Sequence, residues 1–147
     1  MHSSVNSWAL RVVLVLVGVG FIYTGIDNAF GGIMTLGWQG LSDFAQVTDP
    51  HQYLVRDSHV RFLGGVYLLM GVATALSATR PTQFKAVVQL ILIAAFAGGL
   101  ARFSQMDLSV TFGEGVLVPL VIELAVMPLL YVWVSRTIKQ VRPNPSL

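Results

Sequence analysis

The sequence predicts an all-α, polytopic membrane protein in which four transmembrane helices form an antiparallel bundle. Hydrophobic residues make up 54% of the 147 residues, and charged residues only 11%. Soluble domains average about 25% charged residues, so this chain has too few charges for a surface that faces water. Four long apolar stretches follow one another along the chain, and each is long enough to cross a bilayer as a helix.

The four apolar stretches define a single membrane domain with a short tail. We place the spans approximately at residues 10–29, 58–79, 84–104 and 115–135 of a domain that covers 1–147. The connection between the second and third spans is only a few residues long, so these helices must be antiparallel neighbours. Residues 136–147 form a basic tail.

A signal peptide is the alternative interpretation of the first span, because Arg11 precedes its apolar core. No small-x-small cleavage site follows this core, so we expect an uncleaved helix.

The long first loop covers residues 31–59 and divides into two parts. Apolar residues at approximately helical spacing in its first half indicate either a segment that lies on the membrane surface or an ordinary ordered loop. In its second half, Asp49 and Pro50 are typical of a helix start, with Asp49 as N-cap. The second helix should therefore begin near His51, before the bilayer, and enter it at about Val60.

The distribution of Lys and Arg predicts the orientation of the spans. If both termini are cytoplasmic, three basic residues lie outside, and six lie inside: Arg11, Arg80, Lys85, Arg136, Lys139 and Arg142. We therefore expect both termini in the cytoplasm and the long first loop on the outer side.

The fourth span contains one ionisable group, Glu123, in the apolar run 116–134. A carboxylate there costs at least ~2.5–3.5 kcal/mol on insertion scales, so it needs a partner or a function. The predicted topology brings Asp27, Arg61 and Arg102 to the same side of the membrane as Glu123. The long arginine side chains make ion pairing with Glu123 plausible.

Paired glycines accompany both arginines. Gly64 and Gly65 follow Arg61, and Gly98 and Gly99 precede Arg102. Small residues let transmembrane helices approach closely, so the pattern predicts helix packing at these four glycines.

The same charged residues have three interpretations, which the sequence leaves open. They form a structural ion-pair network, or a polar pocket that binds a lipid headgroup or a quinone, or a proton path through Glu123. Side chains able to hydrogen-bond lie near them: Tyr23, Asn28 and Tyr67. The proton path has the least support, because Lys85 is the only ionisable group in the inner halves of the first three spans.

Several function classes have no residues to support them. The chain has no cysteine, and its three histidines lie outside the apolar runs without metal-binding spacing, so we expect no metal site. No Ser-His-Asp or Cys-His arrangement is visible, so we expect no enzymatic activity. A net charge of +2 does not suggest a nucleic-acid partner.

The motifs around these charges resemble those of a bacterial family. RFLGGVYLLMG at 61–71, GGLARF at 98–103 and the acid Glu123 are similar to the small four-helix proteins of domain of unknown function 4345, near the DoxX-like group. The resemblance covers most of the chain and implies a bundle in the bacterial inner membrane. The family brings no catalytic residues.

Relatives suggest two functions. The AciT type is associated with envelope permeability defence and drug tolerance, which implies a barrier role through a lipid or a membrane-protein partner. DoxX-like relatives include subunits of quinone-linked redox enzymes, which implies an accessory subunit of a redox or transport complex. No cofactor is expected beyond a bound lipid or quinone, and the partner is lipid, another membrane protein or a second copy.

Overall fold

A computed structural model describes residues 2–38 and 46–138. In chain order the helices are α1 (His2–Gly31), α2 (Pro50–Ser77), α3 (Lys85–Ala101), α4 (Leu108–Thr111), α5 (Glu114–Val121) and α6 (Met127–Thr137). Short 3-10 turns follow α1 at Gly32–Met34 and α3 at Arg102–Gln105. A π-helical turn, Ile122–Val126, joins α5 to α6 without a break.

The predicted fold class is confirmed. The described residues are almost entirely helical and contain no strand. Four stretches are long and apolar enough to cross a membrane: Trp8–Met34, Pro50–Ser77, Lys85–Gln105 and Glu114–Thr137. At most 28% of the residues in the apolar part of each stretch are buried within the protein. The chain is therefore a multi-pass membrane protein.

The chain divides into two compact units. Residues 11–78 form the first, called here the α1–α2 unit. Residues up to 10 together with those from 79 onward form the second, called here the α3–α6 unit. Each unit has its own helix contacts and one arginine–carboxylate pair.

Glycines hold the two helices of the α1–α2 unit together. A Cβ built on Gly18 would lie 2.8 Å from the carbonyl oxygen of Gly71, and one built on Gly71 would lie 2.6 Å from the amide nitrogen of Ile22. Gly25 meets the backbone of Leu68 in the same way. The residue numbers rise on one helix as they fall on the other, so α1 and α2 are antiparallel. Side chains larger than hydrogen would force them apart.

The C-terminal end of α2 is capped by a cationic side chain from α1. Arg11 donates from Nη1 to the carbonyl oxygen of Ala78 at 2.8 Å, just beyond the last residue of the helix. The last carbonyls of a helix have no partner within it and carry partial negative charge, so a cation stabilises them. Arg11 therefore contributes to the structure of the unit as well as to the charge bias.

In the α3–α6 unit, α3 packs against α6 with a cation at one end. The buried side chains of α3 include Val88 and Leu92, and those of α6 include Leu130 and Val134. Lys85 donates from Nζ to the carbonyl oxygen of Ile138 at 2.7 Å, beyond the end of α6.

A second polar contact lies one turn along the same helix. Gln89 donates to the hydroxyl of Ser135 at 2.8 Å. Since Lys85 meets the end of α6 and Gln89 meets a residue before it, α3 and α6 are antiparallel.

The predicted start of the second helix is also confirmed. Asp49 is the N-cap of α2, and its Oδ1 accepts from the amide nitrogens of His51 at 3.0 Å and Gln52 at 3.1 Å. The first loop begins with the 3-10 turn Gly32–Met34, and residues 39–45 of the proposed membrane-surface segment lie outside the described residues.

Candidate functional site

Among the described residues, each unit contains an ion pair between an arginine and a carboxylate. In the α3–α6 unit Arg102 pairs with Glu123, and in the α1–α2 unit Arg61 pairs with Asp57. In both pairs the acid is nearly buried, with side chains 12% and 10% exposed, while the arginine is more open, at 33% and 45%. The two predicted arginines thus pair with different acids, and the other predicted residues lie outside these pairs.

The Arg102–Glu123 pair is bidentate. Nε of Arg102 lies 2.7 Å from Oε2 of Glu123, and Nη2 lies 2.8 Å from Oε1. Two parallel hydrogen bonds between a guanidinium and a carboxylate are stronger and more directional than a single contact. Glu123, an isolated acid in the sequence, therefore has a defined partner at the end of α3.

Glu123 lies in the π-helical turn Ile122–Val126. Here the amide nitrogen of Met127 donates to the carbonyl oxygen of Ile122, five residues earlier. Proline has no amide hydrogen and its ring clashes with the carbonyl four residues before it, so Pro128 disfavours a regular α-helix at this point. The structure has a widened turn here, and such turns are frequent at functional sites.

Gly99 allows α3 to approach this turn. A Cβ on Gly99 would lie 2.8 Å from Cβ of Glu123 and 2.8 Å from Cδ2 of Leu124. The close approach at Gly99, three residues before Arg102, brings the guanidinium to the carboxylate.

Arg61 is held at three points. Nε donates to Oδ2 of Asp57 at 2.6 Å, and Nη1 donates to the carbonyl oxygens of Phe30 at 2.7 Å and Ala29 at 3.3 Å. The two carbonyls belong to the last turn of α1, where a cation is favoured. Arg61 thus joins the end of α1 to α2.

Asp57 also holds the turn that follows α1. Its Oδ1 accepts from the amide nitrogen of Ile33 at 2.8 Å. Gly32 has a φ of +66°, and a Cβ there would overlap with the Asp57 carboxylate. Only glycine fits this position, both for its backbone conformation and for the space beside Asp57.

Asp27 does not pair with an arginine among the described residues. It is fully buried, and its Oδ1 accepts from the amide nitrogen of Leu36 at 2.7 Å. Its Oδ2 has no hydrogen-bond partner in the described part of the chain. Asp27 therefore serves the turn after α1, as Asp57 does.

The remaining predicted residues lie in the α1–α2 unit. The hydroxyl of Tyr23 donates to the carbonyl oxygen of Trp38 at 2.7 Å, and the two rings stack at 5.3 Å. The ring of Tyr67 lies 5.9 Å from that of Phe21. The backbone of Asn28 lies beside Gly64 of α2.

Only one glycine of each predicted packing pair lies at a helix contact. A Cβ on Gly64 would overlap with the backbone of Asn28 and Ala29, whereas a Cβ on Gly65 meets no described atom within 4 Å. Gly99 and Gly98 differ in the same way, since a Cβ on Gly98 also meets nothing within 4 Å. Successive residues of a helix point about 100° apart, so adjacent glycines do not face the same neighbour.

Asp57 is the site residue that the sequence analysis missed. It carries the contacts that order Arg61 and Ile33. Its spacing of four residues before Arg61 was the available signal, because such pairs meet on one face of a helix. Gly18 and Gly25 of the first helix also pack against α2, but no sequence motif marks them as packing residues.

The chemistry available is ion pairing and hydrogen bonding. No group of three or more His, Cys, Asp or Glu that could hold a metal ion occurs among the described residues. Each pair is formally neutral, and each leaves an arginine more accessible than its acid. Such a group binds oxygen acceptors such as phosphates, carboxylates or carbonyls.

A family comparison assigns this arrangement to a known group of proteins. The model of the family described as domain of unknown function (DUF4345) matches residues 9–134. The chain belongs to this family. The matched region includes both ion pairs and all four long helices of this DUF4345 protein. No curated protein and no solved structure matches the sequence.

Proposed function

We propose that this DUF4345 protein is a non-enzymatic protein of the bacterial inner membrane that binds lipid headgroups, one at Arg61 in the α1–α2 unit and another at Arg102 in the α3–α6 unit. By binding lipid it supports the barrier function of the cell envelope and thereby drug tolerance. The observation that carries the proposal is the shared form of the two pairs, in which a nearly buried acid holds a more exposed arginine.

Arg61 has unused hydrogen-bonding capacity. Its Nε and Nη1 are engaged by Asp57 and by the end of α1, while Nη2 has no partner among the described residues. The three contacts fix the guanidinium in advance, so a ligand would not have to order a long flexible side chain. A pre-ordered donor binds more tightly than a free one.

A lipid phosphate fits this donor. Arginine binds phosphate oxygens through charge-assisted hydrogen bonds, and a long side chain near the end of a span reaches the headgroup level. Since Asp57 already neutralises Arg61, the ligand adds a hydrogen bond without having to displace the acid. A quinone carbonyl is the other acceptor of suitable chemistry, and it belongs to the alternative of an accessory redox subunit.

The barrier role rests on resemblance to the AciT type. Lipid binding is the part of the proposal supported by the two arginines, while the cellular consequence is carried over from these relatives. The two parts are therefore tested separately.

Lipid retention by purified protein tests the binding part. The protein is exchanged into a delipidating detergent, and retained lipids are quantified by native mass spectrometry. Removing one charge-assisted hydrogen bond of ~1.5–3 kcal/mol should weaken retention by about tenfold or more. We expect this for the double variants Glu123→Gln with Arg102→Gln and Asp57→Asn with Arg61→Gln, each of which leaves no unpaired buried acid.

Arg56→Gln is the matched control, because Arg56 is exposed on the same helix as Arg61 and makes no hydrogen bond or ion pair among the described residues. Equal retention by all variants would contradict the proposal. Recovery of a quinone without phospholipid would contradict it too, and would support the accessory-subunit alternative. In cells, dye uptake and drug susceptibility of the same variants test the barrier role.

A further inference from the structure

The connection between α3 and α5 has an apolar outer surface. Four large apolar side chains in it range from about half exposed to almost fully exposed: Met106, Leu108, Val110 and Phe112. Met106 is 90% exposed and has a φ of +56°, a left-handed backbone conformation that is uncommon for residues other than glycine. Such a group of exposed apolar side chains marks a contact surface.

Several polar groups of this connection are paired within it. Oδ1 of Asp107 accepts from the amide nitrogen of Ser109 at 3.0 Å, from its hydroxyl at 2.6 Å and from the amide of Val110 at 3.3 Å. The buried Thr111 donates from its hydroxyl to the carbonyl oxygen of Asp107 at 2.8 Å. A backbone whose groups are paired in this way can leave water at low cost.

The connection is also too short to leave the membrane surface. One candidate span ends at Gln105 and the next begins at Glu114. Residues 106–112 thus lie directly between the ends of two candidate spans. The ring of Phe112 lies 6.0 Å from that of Phe103 in an edge-to-face arrangement, which joins the connection to the end of the preceding span.

We propose that residues 106–112, called here the interfacial turn, insert the side chains of Met106, Leu108 and Phe112 into the lipid at the membrane–water interface. The partner is the lipid surface itself. Apolar side chains on a short segment with internally paired polar groups are typical of interfacial insertion. This inference does not depend on headgroup binding by Arg61 or Arg102.

Single-cysteine labelling tests the insertion, because the natural chain contains no cysteine. Leu108→Cys and Phe112→Cys are labelled with an environment-sensitive dye in nanodiscs made with brominated phospholipid. We expect blue-shifted emission and quenching several-fold stronger than for Ser109→Cys, whose native side chain points to Asp107. Equal quenching at all three positions by lipid bromine, or by aqueous iodide, would overturn the inference.

Oxidation of the natural Met106 tests the same inference without any substitution. With chloramine-T, Met106 in nanodiscs should form sulfoxide several-fold more slowly than in urea-unfolded protein, as read by peptide mass spectrometry. Equal rates would overturn the inference. Protection found only in discs that hold two copies would assign the surface to a second copy and would also overturn it. Retention of phospholipid is measured separately, so failure of either proposal leaves the other standing.

Discussion

Glu123 accepts two hydrogen bonds from Arg102, at 2.7 and 2.8 Å, across the contact between α3 and the π-helical turn. The residues are 21 positions apart in sequence, so the pair links two different candidate spans. A carboxylate and a guanidinium that lie in apolar runs thereby neutralise each other and pair their hydrogen-bonding groups. The stability of the α3–α6 unit should depend on keeping both partners or removing both.

Removing one partner should cost more than removing the pair. Glu123→Ala leaves Arg102 partly buried without its acceptor, and we expect a loss of about 2–3 kcal/mol in the free energy of unfolding. Glu123→Ala combined with Arg102→Ala should lose less, because no lone charge remains. Unfolding in mixed detergent micelles measures both values. Equal losses would show that the hydrogen bonds contribute little to stability.

Adjacent glycines should respond in opposite ways to a methyl group. Gly64→Ala places a Cβ against the backbone of α1, and we expect destabilisation by about 1–3 kcal/mol. Gly65→Ala points into open space and should leave stability unchanged or raise it by up to about 1 kcal/mol. Thermal unfolding of the two variants compares them directly, and similar effects would contradict the observed helix contact.

Loss of the Asp57 carboxylate should release the turn after α1. Asp57→Ala removes the acceptor of the Ile33 amide and the partner of Arg61, and we expect a loss of about 2–3 kcal/mol. Hydrogen exchange at the Ile33 amide should become much faster. Asp49→Ala is the control, because it removes only an N-cap worth ~1 kcal/mol and should leave Ile33 protected. An unchanged exchange rate at the Ile33 amide in Asp57→Ala would argue against the hydrogen bond between Ile33 and Asp57.

The carboxyl group of Asp107 should titrate at unusually low pH. The hydrogen bond from the Ser109 hydroxyl, together with those from backbone amides, lowers the pKa of Asp107 below its ordinary value. Because the pKa of Asp107 is lower in the folded than in the unfolded state, its carboxylate stabilises the fold at pH values above the ordinary carboxyl pKa of about 4. This contribution disappears as the pH falls through the lower, folded pKa.

Carboxyl NMR shifts measure the Asp107 titration. Ser109→Ala should raise the midpoint, since it removes the largest cause of the shift. A midpoint that does not move in Ser109→Ala would show that the hydroxyl does not set it.

Reporter fusions should locate the ends of the spans. Fusions after Arg80 and after Arg142 should be cytoplasmic, and one within 41–49 should be periplasmic, because basic residues favour the cytoplasmic side. The reverse pattern would overturn the orientation predicted from charge, although not the helix pairs seen within each unit.

Local patterns predicted the helices and one of their caps. The span placed at 84–104 matches α3 and its following turn, Lys85–Gln105, to within one residue. The span placed at 58–79 ends two residues beyond α2, which begins earlier, at Pro50. That earlier start was itself predicted from Asp49 and Pro50, because capping depends on neighbours in sequence.

Partners that are distant in sequence were harder to predict. The arginine side chains are long enough to reach any of several acids. Only the fold determines that Arg61 pairs with Asp57 and Arg102 with Glu123. Similarly, glycine pairs indicated close helices, whereas the rotation of each helix decided that Gly64 and Gly99 make the contacts.

The sequence by itself determined that this protein is a multi-pass α-helical membrane protein, because hydropathy and length determine whether a segment can cross a bilayer as a helix. Tertiary structure decided which carboxylate each arginine meets. It also decided that the run containing Glu123 widens into a π-helical turn. The physical reason is that a charge in an apolar segment needs a partner, while the identity of that partner depends on helix rotation and depth, which no local pattern encodes.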